Sequence, residues 1–325
     1  MSTELMHPAA LAIAVAADAI LGEPGWLYRR LPHPVVAIGA VIGWADRRFN
    51  RASDSPARRR RQGALTAFFL VAGAFLLGWG LQALLLALPG GPLWLGLVMS
   101  TLIAQRSLYA HVGDVASALE LSGIEGGRIA VARIVGRDPE RLDEAGISRA
   151  AVESLAENFS DGIIAPIFWG LLLGLPGMLA YKALNTADSM IGHKTPRHKA
   201  FGWAAARADD WVNLPASRLS ALLLVLAALL QRGANASAAI PAVWRDARRH
   251  KSPNAGWPEA AMAGALDFAI AGPRRYHGVL VSDPWMNDGG RWQLKAVDIR
   301  AALALYWRAS AALGIIVLAC AALSC

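Results

Sequence analysis

A chain of 325 residues that is 55% hydrophobic, only 17% charged and has a mean hydropathy of +0.37 falls outside the soluble norm. Soluble domains carry about 25% charged residues. The net charge of +8 is concentrated in loops with no aromatic-interleaved basic motif, which argues against nucleic-acid binding. Cys320 and Cys325 are the only cysteines, so neither a disulfide framework nor a Cys-based zinc site is available.

The first apolar run, Leu5 to Leu21, lacks a basic n-region and reads as a retained anchor, broken by Gly22-Glu23-Pro24-Gly25. Val35 to Trp44 is amphipathic and too short to span, so it is expected in the interface or as a re-entrant piece. Arg47, Arg48, Arg51 and Arg58 to Arg61 form a basic loop that the positive-inside rule places in the cytoplasm. Gly63 to Leu88 is the clearest transmembrane helix. After the uncharged turn Pro89-Gly90-Gly91-Pro92, Leu93 to Ala104 returns and is expected to continue as a helix past Gln105.

Ser107 to Ser160 reads as a soluble excursion of short helices: Ser107 to Leu121, Glu125 to Val135, and Ser148 onward. Asp138-Pro139 looks like an N-cap with Pro at the first helical position. Gly162 to Ala183 is apolar but interrupted at Gly174-Leu175-Pro176-Gly177, which suggests a re-entrant hairpin or a kinked span. Asn213 to Gln231 is another apolar run, with Arg218 in its first turns. Arg232 to Arg300 is a second excursion, and Ala301 to Leu323 a last span. The expectation is an all-α, polytopic integral membrane protein of about four to six spans. It forms one embedded domain over 1–325, with helical cytoplasmic excursions near 107–160 and 232–300 and broken or re-entrant helices.

Polar clusters interrupt this apolar background. Glu153, Glu157 and Asp161 fall at i, i+4 and i+8 with Asn158 and Ser160 between them, directly before an apolar run. Like charges at that spacing repel, so a cation or basic side chains should compensate. Lys182, Asn185 and Ser189 share a helix face beside Asp188, and His193-Lys194-Thr195-Pro196 follows. Polar groups so near an apolar run are costly unless used. Arg249-His250-Lys251-Ser252-Pro253-Asn254, with Glu259 after it, echoes the preceding loop, and both lead to Gly-Trp, at 202–203 and 256–257. Cationic loops with hydroxyls suit phosphate or carboxylate ligands. Asp209-Asp210-Trp211-Val212-Asn213 and Arg218 make a fourth group, where Asp209 can cap the next helix. Asp18, Glu23 and His33 make a fifth. There is no G-x-x-x-x-G-K-[ST], no G-x-G-x-x-G and no H-E-x-x-H.

Taken in order, Asp18-x-x-x-Gly22-Glu23-Pro24 with His33-Pro34, Gly136-Arg137-Asp138, Glu153-Ser-Leu-Ala-Glu157-Asn158-x-Ser160-Asp161-Gly162, Asn185-Thr-x-Asp188-Ser189-Met-x-Gly192 and Arg249-His250-x-Ser252-Pro253-Asn254-Ala255-Gly256-x-Pro258-Glu259 resemble the CobD/CbiB cobalamin-biosynthesis family over nearly the whole chain. The segment Gly272 to Gly278, with Tyr276, looks like that family's Gly-rich Tyr segment, although the residues before it depart from the pattern.

The resemblance implies an adenosylcobinamide-phosphate synthase of the inner membrane. Such an enzyme joins the propionate carboxylate of adenosylcobyric acid to (R)-1-aminopropan-2-ol O-phosphate or free aminopropanol, with ATP and Mg2+. On that reading Glu153, Glu157 and Asp161 hold Mg2+, and Lys194, Arg249 and Lys251 hold phosphates. Asp188 or Asp210 accepts the amine proton, and the remaining cluster residues contact substrate. Other cobalamin-biosynthesis enzymes are expected partners, with membrane lipid and no nucleic acid. The competing class is a membrane transporter for a corrinoid or organic anion, which the broken run at Gly174 would suit.

Overall fold

A computed structural model describes residues 6–22, 28–30, 32–136, 138–276 and 279–323, with 6, 274–276 and 279–281 described by backbone alone. Leu5, Glu23, Pro24, Gly25, Arg137, Gly278 and Cys325, named above, lie outside the described residues. In chain order the helices are α1 (Met6–Leu21), α2 (Pro34–Phe49), α3 (Pro56–Leu86), α4 (Gly91–Ser100), α5 (Gln105–Val131) and α6 (Glu144–Phe159). A π turn (Ser160–Ile164) leads to α7 (Ala165–Ile191), followed by α8 (Trp203–Val212), α9 (Leu214–Ala228), α10 (Ala236–Asp246), α11 (Gly256–Leu266) and α12 (Ala296–Leu323). Among the described residues the strands are two short antiparallel pairs: β1 (Ile270–Ala271) with β4 (Trp285–Met286), and β2 (Arg274–Tyr276) with β3 (Val279–Val281). The fold class is the expected helical one.

The chain divides into two compact units. One holds residues 1–104, 165–213 and 316–325; the other holds 105–164 and 214–315, the ranges in which both expected excursions fall. Three helical runs among the described residues are long and apolar enough to cross a membrane: α3, the run Glu144–Ile191, and α12. The consecutive helices α8 and α9, bent between them, make a fourth if taken as one span. That is the low edge of the four to six expected. The shortfall has local causes. α1 is 16 residues and α4 only 10, against the roughly 20 a bilayer requires.

The first unit is organised around α7. Leu184, Ala187 and Ile191 pack with Ile42, Ala67, Phe201 and Ala205 in one buried cluster. Little of the apolar window of α3 is fully buried, as suits a helix with one face toward lipid, whereas most of the window in 144–191 is buried. α3 begins earlier than expected, because Ser55 accepts from the Arg58 N–H and Pro56 fills the first helical position. Arg58 to Arg61 are therefore helical and not loop.

The expected interruption is present at Gly174, which leaves the helical region at φ +67°, ψ −153° inside α7. Gln82 of α3 closes the break: its Oε1 accepts from the Leu175 N–H at 2.9 Å. A Cβ on Gly174 would sit 2.3 Å from that oxygen. Gly174→Ala is therefore expected to lose both a relaxed backbone and this bond. A drop in melting temperature equivalent to about 2 kcal/mol follows, read by thermal unfolding of the detergent-purified protein. Wild-type stability in this variant would mean that the break is filled some other way.

In the second unit α11 is enclosed by α6, α9 and α10, and every residue from Pro258 to Leu266 is buried. α5 carries a second break at Gly123 (φ +64°). The Asp138 cap expected from sequence is not formed. Asp138 lies outside any helix, and Asp143 caps α6 instead, with its Oδ1 accepting from the Gly146 N–H at 2.7 Å.

Candidate functional sites

In the first unit, Lys182, Asn185, Thr186 and Ser189 on one face of α7 line a cavity of about 340 Å3. His33, Val35 and Val36 form another wall, and Thr101 to Ala104 a third. The shared face of 182, 185 and 189 is as expected. The third wall is not, because α4 stops at Ser100 and the predicted continuous helix is broken across 101–104. His33 caps α2, its Nδ1 accepting from the Val35 N–H at 3.2 Å, and its ring lies 4.6 Å from that of Tyr28. Asp18 is buried near the end of α1.

Beside this cavity, Asp188 at the end of α7 interacts electrostatically with Asp210 and His193. Asp210 in turn feels Arg207 and Lys194. Asp209 is 7% exposed and lies inside α8, so it does not cap the next helix. It accepts from Asn185 Nδ2 at 3.3 Å and from Asn213 Nδ2 at 2.9 Å, and Tyr181 donates to Asn213 Oδ1 at 2.9 Å. Three carboxylates thus meet two basic side chains and a histidine at the mouth of the apolar helix. Asn213 belongs to the fourth group named from the sequence, whereas Tyr181 was missed; its signal was a polar residue directly before Lys182.

The basic run at 58–61 holds this region's loop in place. Arg59 donates to Asn50 Oδ1 at 2.7 Å and to the Arg197 carbonyl, and Arg60 stacks 3.5 Å over the Trp203 ring. Asn50 and Arg197 both donate to Asp46 at 2.6 Å. Burial pushes the Asp46 carboxyl up, but those bonds and the charges of Arg197 and His198 outweigh it and hold the group below its ordinary value.

The second unit contains the other basic loop. Asp246 is fully buried; Arg245 grips it with two bonds of 2.9 and 2.6 Å, Arg249 adds one at 3.3 Å, and the Asn287 N–H one at 2.8 Å. Lys251 pairs with Asp283. The two cations of this loop expected to hold phosphate, Arg249 and Lys251, are thus engaged by carboxylates, and the cavity of about 390 Å3 here is lined instead by Arg218, Arg248, His250, Trp244, Ala247, Pro253 and Trp257. His250 accepts from the Ser252 N–H at 3.0 Å and faces the buried Glu259 at 3.8 Å. Ser252 Oγ accepts from the N–H groups of Asn254 and Ala255, both at 3.2 Å. Asn254 accepts from Ser217 and Arg218, each at 3.0 Å. Tyr276 lies in β2, where only backbone is described.

The echo between the two loops extends to their structure. Each runs from a helix end to a glycine packed against that end. A Cβ would lie 1.7 Å from the Ile191 carbonyl oxygen at Gly202 and 2.5 Å from the Ala247 carbonyl oxygen at Gly256. Each is followed by a tryptophan under an arginine, Trp203 under Arg60 and Trp257 under Arg218.

The acidic motif also belongs to the second unit. Glu153 is buried, whereas Glu157 and Asn158 are exposed. Asn158 donates to the Ser154 carbonyl at 2.9 Å. Asp161 falls in the π turn, not on a regular α-helical face. The i→i+5 bonding of a π turn winds fewer degrees per residue, so the drift expected between Glu157 and Asp161 is reduced. Among the described residues no three His, Cys, Asp or Glu side chains are arranged to hold a metal by themselves.

A helical chain with membrane-length segments, a polar cavity beside an aspartate cluster in one unit and an arginine-lined cavity in the other has the architecture of a membrane protein. Over residues 11–306 it matches the family model described as CobD/Cbib protein. It is 50% identical to a cobalamin biosynthesis protein CobD from Sinorhizobium sp, covering 96% of this chain and 97% of that one. It is 52% identical to the Sinorhizobium fredii protein of the same name, with 92% of each covered, and 45% identical to one from Rhodobacter capsulatus, with 95% and 96% covered. No solved structure matches the chain. The chain belongs to the CobD/CbiB family.

Proposed function

We propose that this protein acts in cobalamin biosynthesis as an ATP-dependent, amide-forming ligase of the inner membrane. It joins the propionate carboxylate of adenosylcobyric acid to (R)-1-aminopropan-2-ol O-phosphate, or to aminopropanol, giving adenosylcobinamide phosphate in the first case. The observation that carries the reading is the family match across nearly the whole chain, to relatives named for cobalamin biosynthesis.

A carboxylate and an ammonium do not condense unaided, so the carboxylate oxygen first takes the γ-phosphoryl group of ATP and ADP leaves. The amine then attacks the acyl carbon, phosphate departs, and the amine proton passes to a carboxylate. Asp188 and Asp210 are the acceptors in this reading, with Asp209 fixed by Asn185 and Asn213. Lys182, Asn185 and Ser189 line the neighbouring cavity and bind substrate there, with His33 on another wall. Oxygen donors at Glu153, Glu157 and Asp161 suit Mg2+, which is commonly held by one or two carboxylates together with substrate phosphates. Bound Mg2+ supplies charge neutralisation on the transferring phosphoryl group.

The transporter reading rests on the break at Gly174. A transporter points the freed half-helix terminus at its substrate, whereas here Gln82 already occupies the Leu175 N–H. The deciding experiment incubates the detergent-purified protein with adenosylcobyric acid, the amine phosphate, ATP and Mg2+. ATP-dependent amide product is expected; no product, together with ATP-independent corrinoid uptake into vesicles, would overturn the reading. Glu157→Gln is expected to fold normally and to lose most activity, because a neutral amide is a poor Mg2+ ligand. Wild-type turnover across a Mg2+ titration would remove Glu157 from the metal site.

A further inference from the structure

We infer that the second-unit cavity between α9, the Arg245–Arg249 turn and the start of α11 is a receptor for the phosphate of a small phosphate monoester. Building on the function proposed above, it takes the amine substrate by its phosphate end. Four arginines gather around this loop, and the structure separates them into two kinds. Arg245 and Arg249 are bound to the buried Asp246. Arg218 and Arg248 line the cavity, near enough to repel each other, and among the described residues neither is paired with a carboxylate.

Arg218 is nevertheless held firmly. Its Nη1 donates to the Leu214 carbonyl at 3.2 Å, to Ser217 Oγ at 2.9 Å and to Asn254 Oδ1 at 3.0 Å, and its guanidinium lies 4.4 Å from the Trp257 ring centre. All three acceptors are neutral, so they orient the charge without cancelling it. Two juxtaposed guanidiniums in a wall that contains no carboxylate are stabilised by a bound dianion, and a phosphate monoester carries about −1.5 to −2 charges near neutral pH. The fork of each guanidinium matches two phosphate oxygens.

The rest of the wall argues for a small ester over a nucleotide. Trp244 meets Trp257 edge-on at 6.1 Å, and Arg218 already covers a face of Trp257. The two rings therefore offer no parallel slot for a purine, but they suit a short carbon chain. A phospholipid headgroup shares the phosphate chemistry, but its diester carries one charge and two chains.

The test is equilibrium binding to the detergent-purified full chain, by calorimetry, of 1-aminopropan-2-ol O-phosphate, free aminopropanol, a non-hydrolysable ATP analogue and short-chain phosphatidylethanolamine. Wild type is expected to bind the phosphate ester at least tenfold more tightly than the free amine. Arg248→Ala, on an exposed turn, should weaken the ester by ten- to a hundredfold, from a charge-assisted contact of about 1.5–3 kcal/mol. It should leave the free amine and the ATP analogue unchanged. Arg248→Lys should fall between, since it keeps the charge and loses the fork. An Arg248→Ala effect on the ATP analogue, an equal effect on both amines, or preferential binding of the lipid would overturn the assignment. Binding is read without turnover, so the two readings fail separately. Ester binding without amide formation would sink the reaction and keep the site; amide formation with an unaltered Arg248→Ala ester affinity would do the reverse.

Discussion

Asp188→Asn is expected to abolish most amide formation while leaving the protein folded and ligand binding within severalfold of wild type. The side chain closes the polar end of α7, interacts with Asp210 and His193, and sits one residue before Ser189 of the cavity wall. Asparagine is nearly isosteric but cannot take up a proton. A positioned general base contributes about 10²–10⁴ in rate, so kcat should fall by at least a hundredfold with KM for either substrate little changed. Asp210→Asn is the companion measurement. A fall confined to Asp188 would make that residue the acceptor and leave Asp210 to tune the field around it. A rise in KM alone in both variants would turn the cluster into a binding element and require another base.

The second large effect is expected on stability. Asp246 is buried beneath Arg245 and Arg249 and accepts the Asn287 backbone N–H, which ties the end of α10 to the segment after β4. Removing one partner of a buried ion pair costs about 3–5 kcal/mol. Both arginines are about half exposed, so water screens what remains and the low end applies. Asp246→Ala should therefore lower the melting temperature by roughly 6–12 °C for a unit of this size.

The same group makes stability acid-sensitive. Burial pushes the Asp246 carboxyl up, but Arg245, the Asn287 N–H and Arg249 outweigh it and hold it below its ordinary 3.8. A carboxylate lowered on folding contributes stability that is fully present above its unfolded value and lost as pH falls through the folded one. The wild type should thus weaken below about pH 4, and Asp246→Ala should show a flatter acid limb. Identical acid limbs in the two proteins would assign the acid sensitivity to other carboxylates.

What could be read from the sequence divides along physical lines. Local signals were legible: the apolar lengths, the glycine break at 174, and the single face formed by 182, 185 and 189. So was the echo of two His-Lys-hydroxyl-Pro loops, whose shared geometry at Gly202 and Gly256 follows from each glycine touching the helix end before it. Pairings between distant residues were not legible. Nothing in the string Arg248-Arg249-His250-Lys251 says that Arg249 belongs to Asp246 and Lys251 to Asp283 while Arg248 faces a cavity. Charge type is local, but charge neutralisation is tertiary. The run Arg58 to Arg61 looked like a topology marker because its other uses, on Asn50, the Arg197 carbonyl and Trp203, come from segments up to about 140 residues away. The wall at Thr101 to Ala104 had no sequence signal beyond the end of an apolar run.

The contact between Gln82 and the break at Gly174 also bears on how the chain is made. Each half of α7 is too short to hold itself in a bilayer, and the Leu175 N–H must find an acceptor where water is scarce. The acceptor lies 93 positions upstream, in a helix the ribosome finishes first. Synthesis order then becomes part of the fold. α3 can already stand in the membrane when the interrupted segment emerges, and it offers a docking amide to a newcomer that would otherwise be a poor guest. A circular permutant that delivers the broken helix before its partner should insert less efficiently, even though its finished contacts are the same.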